Sequence, residues 1–241
     1  MEQLKKLIEK GKDAFEANDY EKAINYFEKA LKIDRNNIDA LQYLGVCLTM
    51  AGNPGTGLLL LNRALEQNPD KDKKIEIYAA LANAFSFKGQ EKGDTRFYDK
   101  SIEINTIVLK ELKDEGTYLN LGNVYKYKQD YKNSIKIFNE GLTKYPKSAR
   151  LMVHLGNTFS AQSDDNGNFP TEAVEMYNQA KKIDPNYIGS YLNLGIAYMN
   201  VGEDKLAEKE FRQVLKLDPY NEQAIFFLED IKKQNRIMKL A

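Results

Sequence analysis

The amino-acid sequence predicts an all-α protein built as an array of antiparallel helix pairs, and three observations carry that prediction. Gly116 to Lys147 holds two apolar stripes at spacings of three and four, Tyr118-Leu121-Gly122-Tyr125 and Ser134-Phe138-Gly141-Leu142, separated at Gln129-Asp130 and stopped by Pro146. That stretch recurs: the small residues Gly11, Gly45, Ala82, Gly122, Gly156 and Gly195 stand 34, 37, 40, 34 and 39 residues apart, a period of the length that marks stacked supersecondary units. Four of the six units end in proline, at Pro69, Pro146, Pro185 and Pro219, where a missing N–H and a fixed φ prevent a helix from continuing.

The alignment extends beyond the small residue. One position before it stand Lys10, Leu44, Leu81, Leu121, Leu155 and Leu194, and three after it Ala14, Leu48, Phe85, Tyr125, Phe159 and Tyr198. The second helices carry a large anchor, Phe27, Leu61, Tyr98, Phe138, Tyr177 or Phe211, with Ala30, Ala64, Ser101, Gly141, Ala180 or Val214 three residues later. The 34-residue interval, the Leu-Gly…Tyr/Phe spacing and the terminal proline resemble the tetratricopeptide repeat (TPR) family over nearly the whole chain. The resemblance implies a right-handed superhelical solenoid with first helices lining a concave groove, and a protein-binding role without catalysis. Its units fall at about 4–36, 38–70, 75–106, 115–147, 149–186 and 188–220, with 221–241 as a capping helix and the whole of 1–241 as one array.

Taken in order, the first unit breaks between its helices at Ala17-Asn18-Asp19, residues that favour turns and caps. Lys10 replaces the usual leucine there, as suits an end unit with no neighbour on one side. The second unit turns at Gly52-Asn53-Pro54-Gly55, and its Leu58-Leu59-Leu60-Leu61 run reads as a helix buried against both neighbours. The third is the least regular. Asp70 to Lys73 reads as a polar insertion, Gly93-Asp94 predicts a late second helix capped near Asp94 and anchored by Phe97-Tyr98, and Asn105 to Glu115 prolongs either that helix or the next one, with Gly116 as a kink. In the fifth unit Ser163 to Phe169 reads as an exposed bend before Pro170 opens a helix. Neither the glycine nor the terminal glutamate of a calcium loop falls in register with its acidic and amide residues, so no metal is expected. The closing helix after Asn221 turns Ala224, Ile225, Leu228 and Ile231 inward and Lys232, Lys233, Arg236 and Lys239 outward.

Composition narrows the function. Lys+Arg and Asp+Glu are both 35, so the formal net charge is zero, which argues against binding nucleic acid through counterion release. The longest apolar runs fall far short of a bilayer span and the first residues hold no apolar signal core, so a soluble cytoplasmic protein without membrane insertion is expected. One cysteine, Cys47, excludes an internal disulfide and reads as packing. One histidine, no tryptophan and no phosphate loop leave a triad, a zinc site and a nucleotide site each short of parts, so neither an enzyme nor a cofactor is expected.

The informative residues are those on the first helices that the packing pattern does not use. Asparagine is frequent there: Asn83, Asn120, Asn123, Asn157 and Asn193, joined by His154. A side-chain amide both donates and accepts, so a row of them at one-repeat spacing can clamp the backbone of an extended peptide whatever its side chains. Tyr43, Phe87, Tyr127 and Val153 add apolar contact, and Lys126 and Arg150 add charge. A clamp for the carboxylate tails of chaperones is not expected, because Ile8, Lys12, Tyr43, Glu76 and Ala80 occupy its positions. The expected partner is a protein or peptide segment, or another copy of the chain in a self-associating scaffold.

Overall fold

Asp and Asn start the helices. The side chains of Asp19, Asn37, Asn53, Asp70, Asp94, Asp114 and Asp130 each accept a hydrogen bond from a backbone N–H two or three residues on, satisfying a donor that the first turn would leave orphaned. The computed structural model describes residues 2–166 and 171–238, and within them thirteen α-helices and no strand. Left-handed residues close the turns after helices: Asn18, Gly52, Gly93, Gln129 and Gly202 all have positive φ.

The chain packs as two compact units, Met1–Lys128 and Gln129–Ala241. The first holds α1 (Glu2–Glu16), α2 (Tyr20–Ile33), α3 (Ile38–Met50), α4 (Pro54–Glu66), α5 (Lys71–Lys92), α6 (Thr95–Glu111) and α7 (Glu115–Tyr127). Consecutive helices pack together, and α1, α3, α5 and α7 also touch one another in succession, so the first helix of each pair lies beside the first helix of the next. One core gathers Phe27, Ala30, Leu44 and Cys47, another Leu41, Leu61, Ile77 and Leu81.

The second unit holds α8 (Tyr131–Lys144), α9 (Ala149–Asn166), α10 (Thr171–Ile183), α11 (Ile188–Asn200), α12 (Asp204–Leu217) and α13 (Glu222–Met238). Tyr177 with Val153 and Leu194 fills one of its cores, and Phe211 with Tyr191, Val214 and Ile231 another.

Small residues set the helix spacing by close approach. A Cβ added at Gly11, Gly156 or Gly195 would sit 2.6 Å from the ring of Phe27, Tyr177 or Phe211, and at Gly45 it would sit 2.8 Å from Leu61. In these pairs the large anchor of the second helix thus lies directly on a bare backbone.

The α5/α6 pair departs from the expected register. The glycine beneath Tyr98 is Gly89, nine residues earlier, where a Cβ would lie 2.6 Å from the ring; Ala82 instead presents its carbonyl to Ser101 Oγ at 2.7 Å. The reason is length. Asp70 caps α5, so Asp70 to Lys73 forms the first turn of a 22-residue helix and not an insertion, and Gly93 ends that helix in the left-handed conformation. The late, Asp94-capped α6 is as expected, and it runs on to Glu111. The apolar spacing after Asn105 therefore belongs to the second helix of this pair. Gly116 lies in the first turn of α7 and marks no kink.

Three smaller expectations change. Leu58 and Leu61 are buried and Leu60 is half-buried, but Leu59 is 72% exposed because four consecutive helical residues cannot share one face. In α13 Ala224, Leu228 and Ile231 face inward, whereas Ile225 is exposed and Phe227 takes the inner position by stacking on Phe211 at 5.1 Å. Ser163 to Asn166 continues α9 and is no bend. Gly167 to Pro170 and Lys239 lie outside the described residues, as does the side chain of Arg236.

Candidate functional site

The first helices carry the candidate residues, which divide between the two compact units. In the first unit, α5 carries Asn83 and Phe87, and α7 carries Asn120, Asn123, Lys126 and Tyr127. Asn83 and Asn120 are half-buried, and their side-chain amides have no partner among the described residues. Phe87 is 39% exposed and Tyr127 42%, one in the C-terminal half of α5 and the other at the end of α7. Tyr127 stacks on Tyr98 at 6.5 Å between centroids, and the Lys126 ammonium lies 5.2 Å from the Tyr127 centroid. Burial pushes the Lys126 pKa below its ordinary value, so this cation is partly stripped of water.

Tyr43, on α3, sits apart from that row. It stacks on Phe27 at 5.4 Å and meets Phe15 edge-on at 5.5 Å, with the Lys12 ammonium 5.1 Å from its centroid. Beside it lies a polar chain that the sequence reading passed over. Lys12 Nζ donates to Asp39 at 2.9 Å, Lys73 Nζ lies 3.0 Å from Asp39 and 2.7 Å from Glu76, and Gln42 Nε2 donates to Glu76 at 3.4 Å. Burial alone would raise the Asp39 pKa, but the hydrogen bonds and charges of Lys12 and Lys73 outweigh it and hold the carboxyl below its ordinary 3.8. Gln42 is 8% exposed and its Oε1 has no partner among the described residues. A signal was available: Asp39 and Lys73, like Gln42 and Glu76, are 34 residues apart, one repeat, which sets complementary groups side by side on successive first helices.

In the second unit the amides are occupied. Asn157 Oδ1 accepts from Tyr177 Oη at 2.7 Å, so this asparagine points toward the second helix of its pair and not away from it. Asn193 Nδ2 donates to the Gly189 carbonyl one turn earlier at 2.7 Å. The His154 ring lies 6.1 Å from that of Phe138, and its carbonyl accepts from Thr158 Oγ1 at 3.0 Å. Arg150 is exposed in the first turn of α9. Val153 is 2% exposed within the core, so it offers no contact surface.

The chemistry on offer is amide hydrogen bonding, ring contact and a few cations. Burial pushes the Cys47 thiol up to about 11, which leaves it protonated and unreactive at neutral pH. No group of three or more His, Cys, Asp or Glu side chains among the described residues is placed to hold a metal. No helix among them is long and apolar enough to cross a membrane.

Family profiles described as tetratricopeptide repeat match residues 14–84, 116–147 and 188–221, and one described as TPR repeat matches 171–202. The chain is 24% identical over 207 residues to the peroxisomal targeting signal receptor of Saccharomyces cerevisiae, covering 82% of this chain and 31% of the receptor. It is 22% identical over 260 residues to the Hsp70-Hsp90 organizing protein of Triticum aestivum, covering 95% and 44%. It thus spans less than half the length of either relative. Among solved structures it is similar to the APC/C hetero-tetramer Cut9-Hcn1, with TM-score 0.66 and 16% identity over 95% of this chain and 42% of that one. A thermophilic TPR protein of Thermus thermophilus also superimposes with TM-score 0.66, at 15% identity over 81% of this chain and 99% of its own. At such identities the likeness shows the fold alone.

Proposed function

The chain belongs to the tetratricopeptide repeat family, whose members mediate protein–protein interactions, and on that premise we propose that it is a non-catalytic adaptor holding an extended segment of a partner protein against its first helices. The observation that carries the reading is the row on α5 and α7 of the first unit. There Asn83 and Asn120 keep unpartnered amides on the same two helices as two exposed rings, Phe87 and Tyr127. Two such amides contribute about 1 kcal/mol net per hydrogen bond, so the rings and Lys126 must supply most of the affinity. Asn157 and Asn193 already spend hydrogen-bonding groups inside the fold, which moves the weight of the proposal to the first unit.

A targeting-signal receptor and a chaperone organizer are named for the proteins they handle. The chaperone partner is not carried to this chain, because the clamp positions hold Ile8, Lys12, Tyr43, Glu76 and Ala80. A cytoplasmic setting suits the single buried thiol.

The test is a paired pull-down with the wild-type chain and an Asn83→Ala/Asn120→Ala variant, read by mass spectrometry, alongside the Asn157→Ala/Asn193→Ala pair. A partner lost with the first variant and kept with the second supports the reading, provided both variants keep their far-ultraviolet helicity. Identical recovery by wild type and the first variant rejects it.

A further inference from the structure

A second surface lies on the α5/α6 hairpin. Phe85 of α5 and Phe97 of α6 stack with centroids 6.5 Å apart at an interplanar angle of 21°. Two ammonium groups lie over this one pair of rings, each reaching across to the other helix: Lys88 of α5 is 5.0 Å from the Phe97 centroid and Lys100 of α6 is 5.5 Å from that of Phe85. Neither has a carboxylate partner among the described residues. Neighbouring cations do: Lys92 pairs with Glu91 at 2.8 Å, Arg96 with Asp94 at 2.7 Å and Lys128 with Asp99 at 2.5 Å.

We propose that Lys88 and Lys100, held over the Phe85–Phe97 stack, form a docking site for an acidic, Asp/Glu-rich segment of a partner polypeptide. A ring face holds an ammonium from one side only and leaves its remaining N–H donors available to a carboxylate. The platform is preorganised, because Phe85 packs on the core around Leu61 and Leu81 and the lysines are tethered on two paired helices. Charge complementarity selects the occupant. Two cations with no carboxylate partner among the described residues attract an anion, while the zero net charge of the chain disfavours a long polyanion such as nucleic acid and favours a short acidic stretch.

The experiment is fluorescence anisotropy on the full chain with a labelled octaglutamate peptide and a labelled octathymidylate strand. The expected result is saturable peptide binding that Lys88→Gln/Lys100→Gln weakens by about tenfold or more, with the exposed control pair Lys5→Gln/Lys6→Gln changing it by less than about twofold. The strand is expected to bind more weakly than the peptide. Equal losses in both Gln pairs would mean diffuse charge attraction and overturn the site, as would absence of saturable binding or a strand that binds as tightly. Lys88→Arg/Lys100→Arg retains charge and ring contact; if the Gln pair melts early, peptide binding by the Arg pair supports the site and its loss overturns it. Asn83→Ala/Asn120→Ala is expected to bind octaglutamate normally, so failure of this site and failure of the amide row read out separately.

Discussion

At the scale of single residues the packing makes opposite demands on the same residue type. Gly195 has the ring of Phe211 against it, and an added methyl would start 2.6 Å from that ring. Gly195→Ala is expected to lower stability by about 1–3 kcal/mol through overpacking, measured by urea denaturation. Gly55, in the first turn of α4, has nothing within 4 Å of an added Cβ and an ordinary helical φ. Gly55→Ala is expected to raise stability by about 0.5 kcal/mol, chiefly by restricting the unfolded chain. The identity of the small residues was legible in the repeat; the strength of each constraint was not, because it depends on which side chain lies opposite. Lys126 gives a second contrast. Its pKa is depressed by burial, so its charge costs stability below the folded pKa, and the cost disappears above the unfolded value near 10.5. Lys126→Met is therefore expected to raise the melting temperature at pH 7, with the gain shrinking at alkaline pH, while weakening any ligand held beside Tyr127.

At the scale of elements, helix pairs are local and so were readable, whereas the join between pairs depends on lengths that spacing leaves open. The α5/α6 hairpin shows this. Counting sixteen residues back from Tyr98 lands on Ala82, but a longer α5 and a two-residue turn at Gly93-Asp94 place Gly89 under the ring. The same lateral contact between first helices builds the Lys12–Asp39–Lys73–Glu76 chain across α1, α3 and α5. The Asp39 pKa in the folded state lies below its unfolded value, so the carboxylate contributes stability present above that value and lost as pH falls through the folded one. Asp39→Asn is expected to melt at a lower temperature than wild type at pH 7. The difference narrows below about pH 4, where the wild-type carboxyl is itself protonated in the unfolded chain.

At the scale of the whole molecule, the exposed apolar groups of the second unit bear on self-association: Tyr220 is 86% exposed and Phe226 63%. If copies pair through these rings, the mass measured by light scattering rises with concentration and Phe226→Ser with Tyr220→Ser abolishes the rise. A concentration-independent monomer removes the scaffold reading and leaves the adaptor. The sequence by itself determined that the protein is all-α, that its helices follow one repeating pattern, that one of them starts late at an Asp94 cap and which family it belongs to. Those features follow from periodicity, turn chemistry and side-chain size within one repeat, and they recur often enough to be read. Only the tertiary structure decided which asparagines remain available, since Asn157 bonds to a tyrosine twenty residues away and Asn193 to its own helix, while Asn83 and Asn120 do neither. It also decided that Val153 is core, that Leu59 is exposed and that two lysines converge on one pair of phenyl rings. A side chain's availability depends on what other helices bring against it, and one-dimensional spacing does not contain that information.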